Sequence, residues 1–291
     1  MTYKDIYIVG KEGLEAAGIE EAALDARLLL EYVCKTDRNE LLAHGDRPVT
    51  EEQERQYREL LKRRERRIPL QHLTGEQEFM GLRFFVNEHV LIPRQDTEVL
   101  VEEVLKNLHD GMSILDLCTG SGCILISLLR YTNNCHGLGV DISPEALSVA
   151  GGNAERLVPE SLVSGEDGDH AKLQLLESDL YERVEGKFDI IVSNPPYIPT
   201  KVIETLMPEV REHEPRLALD GSEDGLLFYR RIIEGSRVHL KGGGMLFFEI
   251  GYDQGEAVSE LMELAGFIEV QVTKDYAGLD RVVSGILRVV S

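Results

Sequence analysis

Directly after the apolar run 188–192 stands Ser193-Asn194-Pro195-Pro196-Tyr197, the segment with the most chemistry in it. Two consecutive prolines fix the backbone and present carbonyls without N–H donors of their own. The Asn side chain adds an acceptor oxygen on a short arm. Together they can accept both hydrogens of a planar –NH2 group while Tyr197 packs on its flat face. A conjugated nitrogen is a poor nucleophile because its lone pair is delocalised. Holding its hydrogens raises the electron density on nitrogen and aims it at an electrophilic carbon. Positioning can supply a large share of such a rate, and fixed acceptors stabilise positive charge developing on nitrogen. The group such a nitrogen would receive is a methyl, and its donor would be a sulfonium.

Three further elements fit a nucleotide-bearing donor. Asp116-Leu117-Cys118-Thr119-Gly120-Ser121-Gly122 reads as a strand, a tight turn and the start of a helix. Its small residues let the backbone pass close to a ligand, and the helix N-terminus offers unpaired N–H groups. The third glycine of a dinucleotide fingerprint is missing, since Leu125 stands there. Asp141 follows about 20 residues later, where a carboxylate can accept hydrogen bonds from both ribose hydroxyls. Glu177-Ser178-Asp179-Leu180 then follows a third apolar run, placing Asp179 where it could meet an exocyclic adenine amino group.

Positioning these residues requires a sheet. Short apolar runs lie at 113–117, 137–140, 173–176, 188–192, 244–250, 267–272 and 281–289, with helical stretches at 97–108, 122–131, 144–157, 226–240 and 254–265. This alternation predicts a mainly parallel sheet covered on both faces. Residues 160–172, rich in Gly, Ser and Asp, read as a surface loop. The region before residue 73 reads as helices instead. Leu24, Leu28 and Tyr32 recur at helical spacing within 20–33, and Thr50-x-x-Gln53 forms a capping box for a helix running to about Arg67. Pro69 ends it. Gly75 and Gly81, among Phe79, Phe84 and Phe85, suit a hairpin connector.

Composition narrows the function classes. The net charge is −21, with 13 basic and 15 acidic residues through Leu70 but 18 basic and 37 acidic from Gln71 onward. An acidic body repels a phosphate backbone, which weighs against a nucleic-acid substrate. Cys34, Cys118, Cys123 and Cys135 form no Cys-x-x-Cys pair, and the eight histidines are scattered. Neither a metal site nor a disulfide framework is expected. No apolar run approaches the roughly 18–20 residues that span a bilayer. The N-terminus lacks a secretory pattern, so a cytoplasmic protein is expected. The cluster Lys62, Arg63, Arg64, Arg66 and Arg67 fits a solvated helix face or an electrostatic contact with an acidic partner. Arg94 and Glu98 fit either capping and pairing at a helix start or a role in closing the site.

With these residues read, the chain resembles the HemK/PrmC family, the glutamine N5-methyltransferases of peptide-chain release factors. The resemblance covers nearly the whole chain. It rests on Gln71-His72-Leu73-Thr74-Gly75, Leu91-Ile92-Pro93-Arg94-Gln95-Asp96-Thr97-Glu98, the glycine turn, Asp141, Asn194-Pro195-Pro196-Tyr197, Val210 to Glu214-Pro215, and Asp275-Tyr276. Asn-Pro-Pro-Tyr is shared with DNA and RNA amino-methyltransferases, which form the alternative class. Pro-Arg-x-x-Thr-Glu narrows the choice. The resemblance implies an α/β fold, a Rossmann-like seven-stranded methyltransferase sheet over 93–291, with a helical substrate-recognition domain over 1–73 and a connector over 74–92. It implies S-adenosylmethionine as cofactor, contacted by Cys118, Thr119, Gly120, Ser121, Gly122, Asp141, Asp179, Leu180 and Asn194. The substrate glutamine, from the Gly-Gly-Gln motif of a release factor, would sit on Asn194, Pro195, Pro196 and Tyr197, which carry the catalysis. Three positions depart from the family pattern: Cys118 replaces the first glycine of the turn, Gln95 a proline, and Leu180 an aromatic residue.

Overall fold

A computed structural model describes residues 1–162 and 172–288. The expected surface loop at 160–172 lies largely outside the described residues, as does position 289, the end of the last expected strand. The chain divides into two units, one of Met1–Glu76 with Met207–His213, the other of Gln77–Leu206 with the chain from Glu214 onward.

The first unit is helical. It holds α1 (Tyr3–Ala16), α2 (Ala22–Cys34), α3 (Arg38–Ala43), α4 (Glu51–Glu65) and α5 (Leu70–Thr74). Thr2 and Asp5 close a capping box on α1, and Thr50 and Gln53 close the one the sequence marks on α4. The core joins Ile6 and Leu14 of α1 to Leu29 and Leu30 of α2, and to Tyr57 and Leu61 of α4. The buried face of α2 differs from the Leu24, Leu28, Tyr32 stripe. Leu24 and Tyr32 are exposed, while Ala22, Ala26, Leu29, Leu30 and Val33 face inward. The helix is apolar around much of its girth, so spacing alone does not select a face, and the small alanines admit the neighbouring helices.

The basic cluster also resolves differently from a uniformly solvated face. Lys62, Arg63 and Arg66 are exposed, but Arg64 is buried. Its Nε donates to Asp25 Oδ2 at 2.7 Å, and its second nitrogen donates to Glu209 Oε1 at 3.0 Å. Arg67 donates to the same Glu209 oxygen and to the carbonyls of Ala17 and Gly18. Glu209 comes from the returning segment 207–213, which sequence order gave no reason to assign to this unit.

The second unit opens with the hairpin β1 (Glu76–Phe79) and β2 (Leu82–Phe85), followed by α6 (Gln95–Asn107). Then come β3 (Ser113–Leu117), α7 (Cys123–Arg130), β4 (His136–Asp141), α8 (Pro144–Leu157), β5 (Leu173–Glu177) and β6 (Phe188–Ser193). After the short helices α9 (Thr200–Ile203) and α10 (Pro208–His213, in the first unit) come α11 (Leu227–His239), β7 (Leu240–Glu249), α12 (Gly255–Leu264), β8 (Phe267–Lys274) and β9 (Asp280–Leu287). The last seven strands form one sheet in the order β5-β4-β3-β6-β7-β9-β8. Pairings through β7 are parallel, and β9 runs antiparallel to both β7 and β8. The central strands are apolar on both faces because helices cover both. Leu100, Leu125 and Leu128 belong to one core, Ile191, Ile232 and Phe248 to the other. Strand order reverses direction between β3 and β6, so a crevice opens at their C-terminal ends. Every expected site element leaves the sheet there or on the adjoining β4 and β5.

Candidate active site

At the end of β3 the chain turns through Cys118 at φ 60°, Gly120 at φ 55° and Gly122 at φ 78°. A left-handed residue with a side chain costs roughly 1 kcal/mol relative to glycine, and Cys118 carries that strain. Burial pushes its thiol well above the usual range, so it is present as the neutral thiol. Gly122 serves packing: a Cβ there would meet Ile126 Cδ1 at 2.9 Å and Ala150 Cβ at 3.2 Å. Two buried side chains hold the turn. Thr119 Oγ1 donates to Asp116 Oδ2 at 2.6 Å, and Asn153 Nδ2 donates to the carbonyls of Ser121 and Phe85. Asn153 also accepts the Phe85 N–H, which fastens the hairpin to the turn.

Asp141 closes the next strand. Its Oδ2 accepts the Gly120 N–H at 2.8 Å and its Oδ1 accepts the Ser143 N–H at 3.0 Å. Burial raises its pKa, while the N–H groups of Ser143 and Gly120 pull it down. Each carboxylate oxygen keeps a further lone pair for a hydroxyl. Asp179, beyond β5, pairs with Arg231 at 2.9 Å, and Leu180 follows at φ 51°.

Asn194 leaves β6 with Nδ2 directed to Thr97 Oγ1 at 3.4 Å, which leaves its Oδ1 to accept from an incoming N–H. Tyr197 is tied at both ends. Its hydroxyl donates to Glu249 Oε1 at 3.3 Å, and its carbonyl accepts from Gln254 Nε2 at 3.0 Å. Gly225, at φ 74°, is needed beside it: a Cβ there would lie 2.4 Å from the Tyr197 carbonyl oxygen. Arg94, immediately before α6 on the chain segment with Thr97, donates to the buried Glu214 at 2.5 Å. Burial pushes the Glu214 carboxyl up while Arg94 pulls it down. Glu98 accepts the Met80 N–H at 2.6 Å, so Arg94 and Glu98 bond to separate partners, and Arg94 also lines the cavity.

One cavity of about 210 Å³ collects most of these residues. Cys118, Thr119, Gly120, Ser121, Asp141, Asp179, Leu180, Asn194 and Pro196 line it; Gly122, Pro195 and Tyr197 do not. Sequence reasoning missed Thr97, Phe228 and Arg231 among the lining residues, and the buried acids Asp116, Glu214 and Glu249 behind it. An acid closing an otherwise apolar strand is a signal for Asp116 and Glu249. Arg231 sits on a helix remote in sequence and leaves none. Among the described residues no group of His, Cys, Asp and Glu could hold a metal ion.

A PrmC N-terminal domain family matches residues 6–75 and a methyltransferase domain family matches residues 108–264. The release factor glutamine methyltransferase of Caulobacter vibrioides is 44% identical over 288 residues, covering 98% of this chain and 96% of that protein. The chain belongs to that family. The protein of the same name from Geobacter sulfurreducens is 42% identical over 273 residues, covering 94% and 92% of the two chains. A methyltransferase structure from Pyrococcus furiosus superposes with a TM-score of 0.51 at 18% identity, covering 72% of this chain and 91% of that one. That likeness shows the fold, a Rossmann-like methyltransferase sheet. In a member of this family the positive φ at Cys118 and Leu180 means both departures sit in backbone suited to glycine, and both side chains face the cavity.

Two buried acids give the site a pH signature. Burial pushes Asp116 up to about 7, with Thr119 opposing and the Asp141 charge adding. Burial likewise pushes Glu249 up to about 7. A carboxyl whose pKa is raised on folding favours the fold most when neutral. That contribution is full below its unfolded value, near 4, and is lost as pH rises through about 7. Asp116→Asn removes the titration. Its stability relative to the unsubstituted protein should therefore improve by about 1–3 kcal/mol between pH 5 and pH 8. Urea unfolding at the two pH values measures this, and a pH-independent difference would show that Asp116 does not titrate there.

Proposed function

We propose that the chain transfers a methyl group from S-adenosylmethionine to the side-chain amide nitrogen (N5) of the glutamine in the Gly-Gly-Gln motif of peptide-chain release factors. The observation that carries this reading is the shared cavity: Asn194, which would hold the amide, lines the same space as the glycine turn and Asp141. The residues fit the cofactor. The turn supplies backbone N–H groups, Asp141 retains acceptor capacity for ribose hydroxyls, and Asp179 and Leu180, lining the same cavity, would hold the adenine. S-adenosylmethionine supplies an electrophilic methyl carbon on a sulfonium.

The protein's own part is orientation. Thr97 holds the Asn194 amide so that Oδ1 accepts one hydrogen of the glutamine –NH2, and the Pro195 carbonyl accepts the other. These acceptors stabilise the charge that grows on nitrogen as the new bond forms, an interaction stronger in the transition state than in the ground state. A glutamine flanked by glycines can turn into a narrow site. Since a loop offers little surface, affinity needs a second contact, which the N-terminal helical unit would provide. No helix among the described residues is long and apolar enough to cross a membrane, and a substrate used in translation supports a cytoplasmic enzyme.

Asp141→Ala should weaken S-adenosylhomocysteine binding by about 1–3 kcal/mol, the scale of hydrogen bonds to a charged group. Calorimetric titration of the folded variant reads this directly, and unchanged affinity would remove Asp141 from the site. The acceptor class is tested by incubating the enzyme with labelled methyl donor and separate pools of release factor, RNA and DNA. Label should enter the release factor. Label in RNA or DNA alone would favour the amino-methyltransferase alternative.

A further inference from the structure

Glu249 closes β7 and is 2% exposed, yet it lies outside the cavity lining and has no part in the chemistry above. Among the described residues its Oε2 has no hydrogen-bond partner. A buried polar atom left so is costly, and its retention asks for a reason. Burial opposes the ionised form of Glu249, and the Thr97 side chain and the Arg281 charge favour it. The nearby Arg281 directs its hydrogen bonds to Asp275 and the Ile250 carbonyl and forms an ion pair with Asp96 at 3.2 Å. What Glu249 does hold is Tyr197, through Oε1 at 3.3 Å.

The main chain at the same residue reinforces that hold. The Glu249 carbonyl accepts from the Tyr229 hydroxyl at 2.9 Å, and that hydroxyl lies 3.3 Å from Gln254 Oε1. Gln254 in turn donates to the Tyr197 carbonyl at 3.0 Å. Side chain and backbone of one residue thus reach both ends of Tyr197, one directly and one through Tyr229 and Gln254. The end of β7, paired directly beside β6, is well suited to fix the turn that leaves β6.

We infer that Glu249 is a positioning residue for methyl transfer: its buried carboxyl anchors the Tyr197 hydroxyl and so sets the pose of the 194–197 turn against the substrate amide. This rests on the role proposed for that turn. Glu249 touches neither substrate nor cofactor, so its removal acts on turnover and leaves cofactor affinity alone.

Steady-state kinetics of the full-length enzyme on release factor test it, with Glu249→Leu, Glu249→Gln, Tyr197→Phe and the Glu249→Leu/Tyr197→Phe double variant. Glu249→Leu and Tyr197→Phe should each lower kcat by about 10-fold or more, within the range that misplacement of reacting groups produces. S-adenosylhomocysteine affinity should stay within about 2-fold, since no group of the cofactor cradle is altered. The double variant should fall little below either single one, because both remove one interaction. Glu249→Gln keeps an acceptor at Oε1 and should stay within about 5-fold of the parent, the scale of one ordinary hydrogen bond. Additive losses, a Gln variant no better than Leu, or unchanged turnover in Tyr197→Phe would each overturn the inference. If Glu249→Leu does not fold, Tyr197→Phe and Glu249→Gln still decide. A parent enzyme that leaves release factor unmethylated would instead sink the functional reading.

Discussion

Asn194→Ala should bind S-adenosylhomocysteine nearly as the parent does while turning over about 10²–10³-fold more slowly, the loss seen when one preorganised polar group at a reacting centre is removed. The geometry gives the reason. The Asn194 amide is tied by Nδ2 to Thr97, so its Oδ1 is the atom offered to an incoming amide. That acceptor does most when positive charge develops on the substrate nitrogen, so its removal falls on kcat rather than on ground-state binding. The proposed cofactor cradle of Gly120, Asp141 and Asp179 follows other strands. Single-turnover methyl transfer alongside calorimetry separates the two quantities. Near-normal turnover would make the motif structural.

Arg64→Ala should destabilise the N-terminal unit by about 3–5 kcal/mol, because it strands the buried Asp25 carboxylate and removes one of the two arginines on Glu209. Arg64 lies between Asp25 at 2.7 Å and Glu209 at 3.0 Å, and all three are buried. Arg67 remains on Glu209, and its ion pair holds that carboxyl below its usual range together with Arg64. Asp25 is left with no cation. The cavity lies wholly within the other unit, so S-adenosylhomocysteine affinity should change little while methylation of release factor falls. Urea unfolding should show an early transition absent from the parent. A single transition at an unchanged midpoint would mean that the pair contributes nothing net.

Where the sequence could be read, it was through local chemistry. Seven apolar runs became the seven sheet strands because continuous Val, Ile and Leu mark a strand covered on both faces. Thr50 and Gln53 announced their helix start because a capping box is a local device. Asp141 and Asn194 were legible because each ends a strand at the crevice. The rest depends on tertiary pairing. Nothing local marks Glu209 as the partner of Arg64, 145 positions away, so a buried ion pair passed for a solvated basic face. Leu24 and Tyr32 have the spacing of a core stripe, but the alanines on the opposite side let α2 pack closer there. Tyr197 reads as a platform for the substrate, and nothing local shows that its hydroxyl also engages Glu249, whose place behind the motif only the fold supplies.

The central claim is that the 194–197 turn presents a glutamine amide to the methyl donor. Mass spectrometry of a digested bacterial-type release factor, after incubation with enzyme and S-adenosylmethionine, tests it most directly. A single methyl increment should appear on the peptide carrying the Gly-Gly-Gln glutamine, on its side-chain nitrogen, and should vanish when that residue is replaced by glutamate. A methyl group on any other residue, or an unmodified glutamine beside an enzyme that has consumed its donor, would contradict the account.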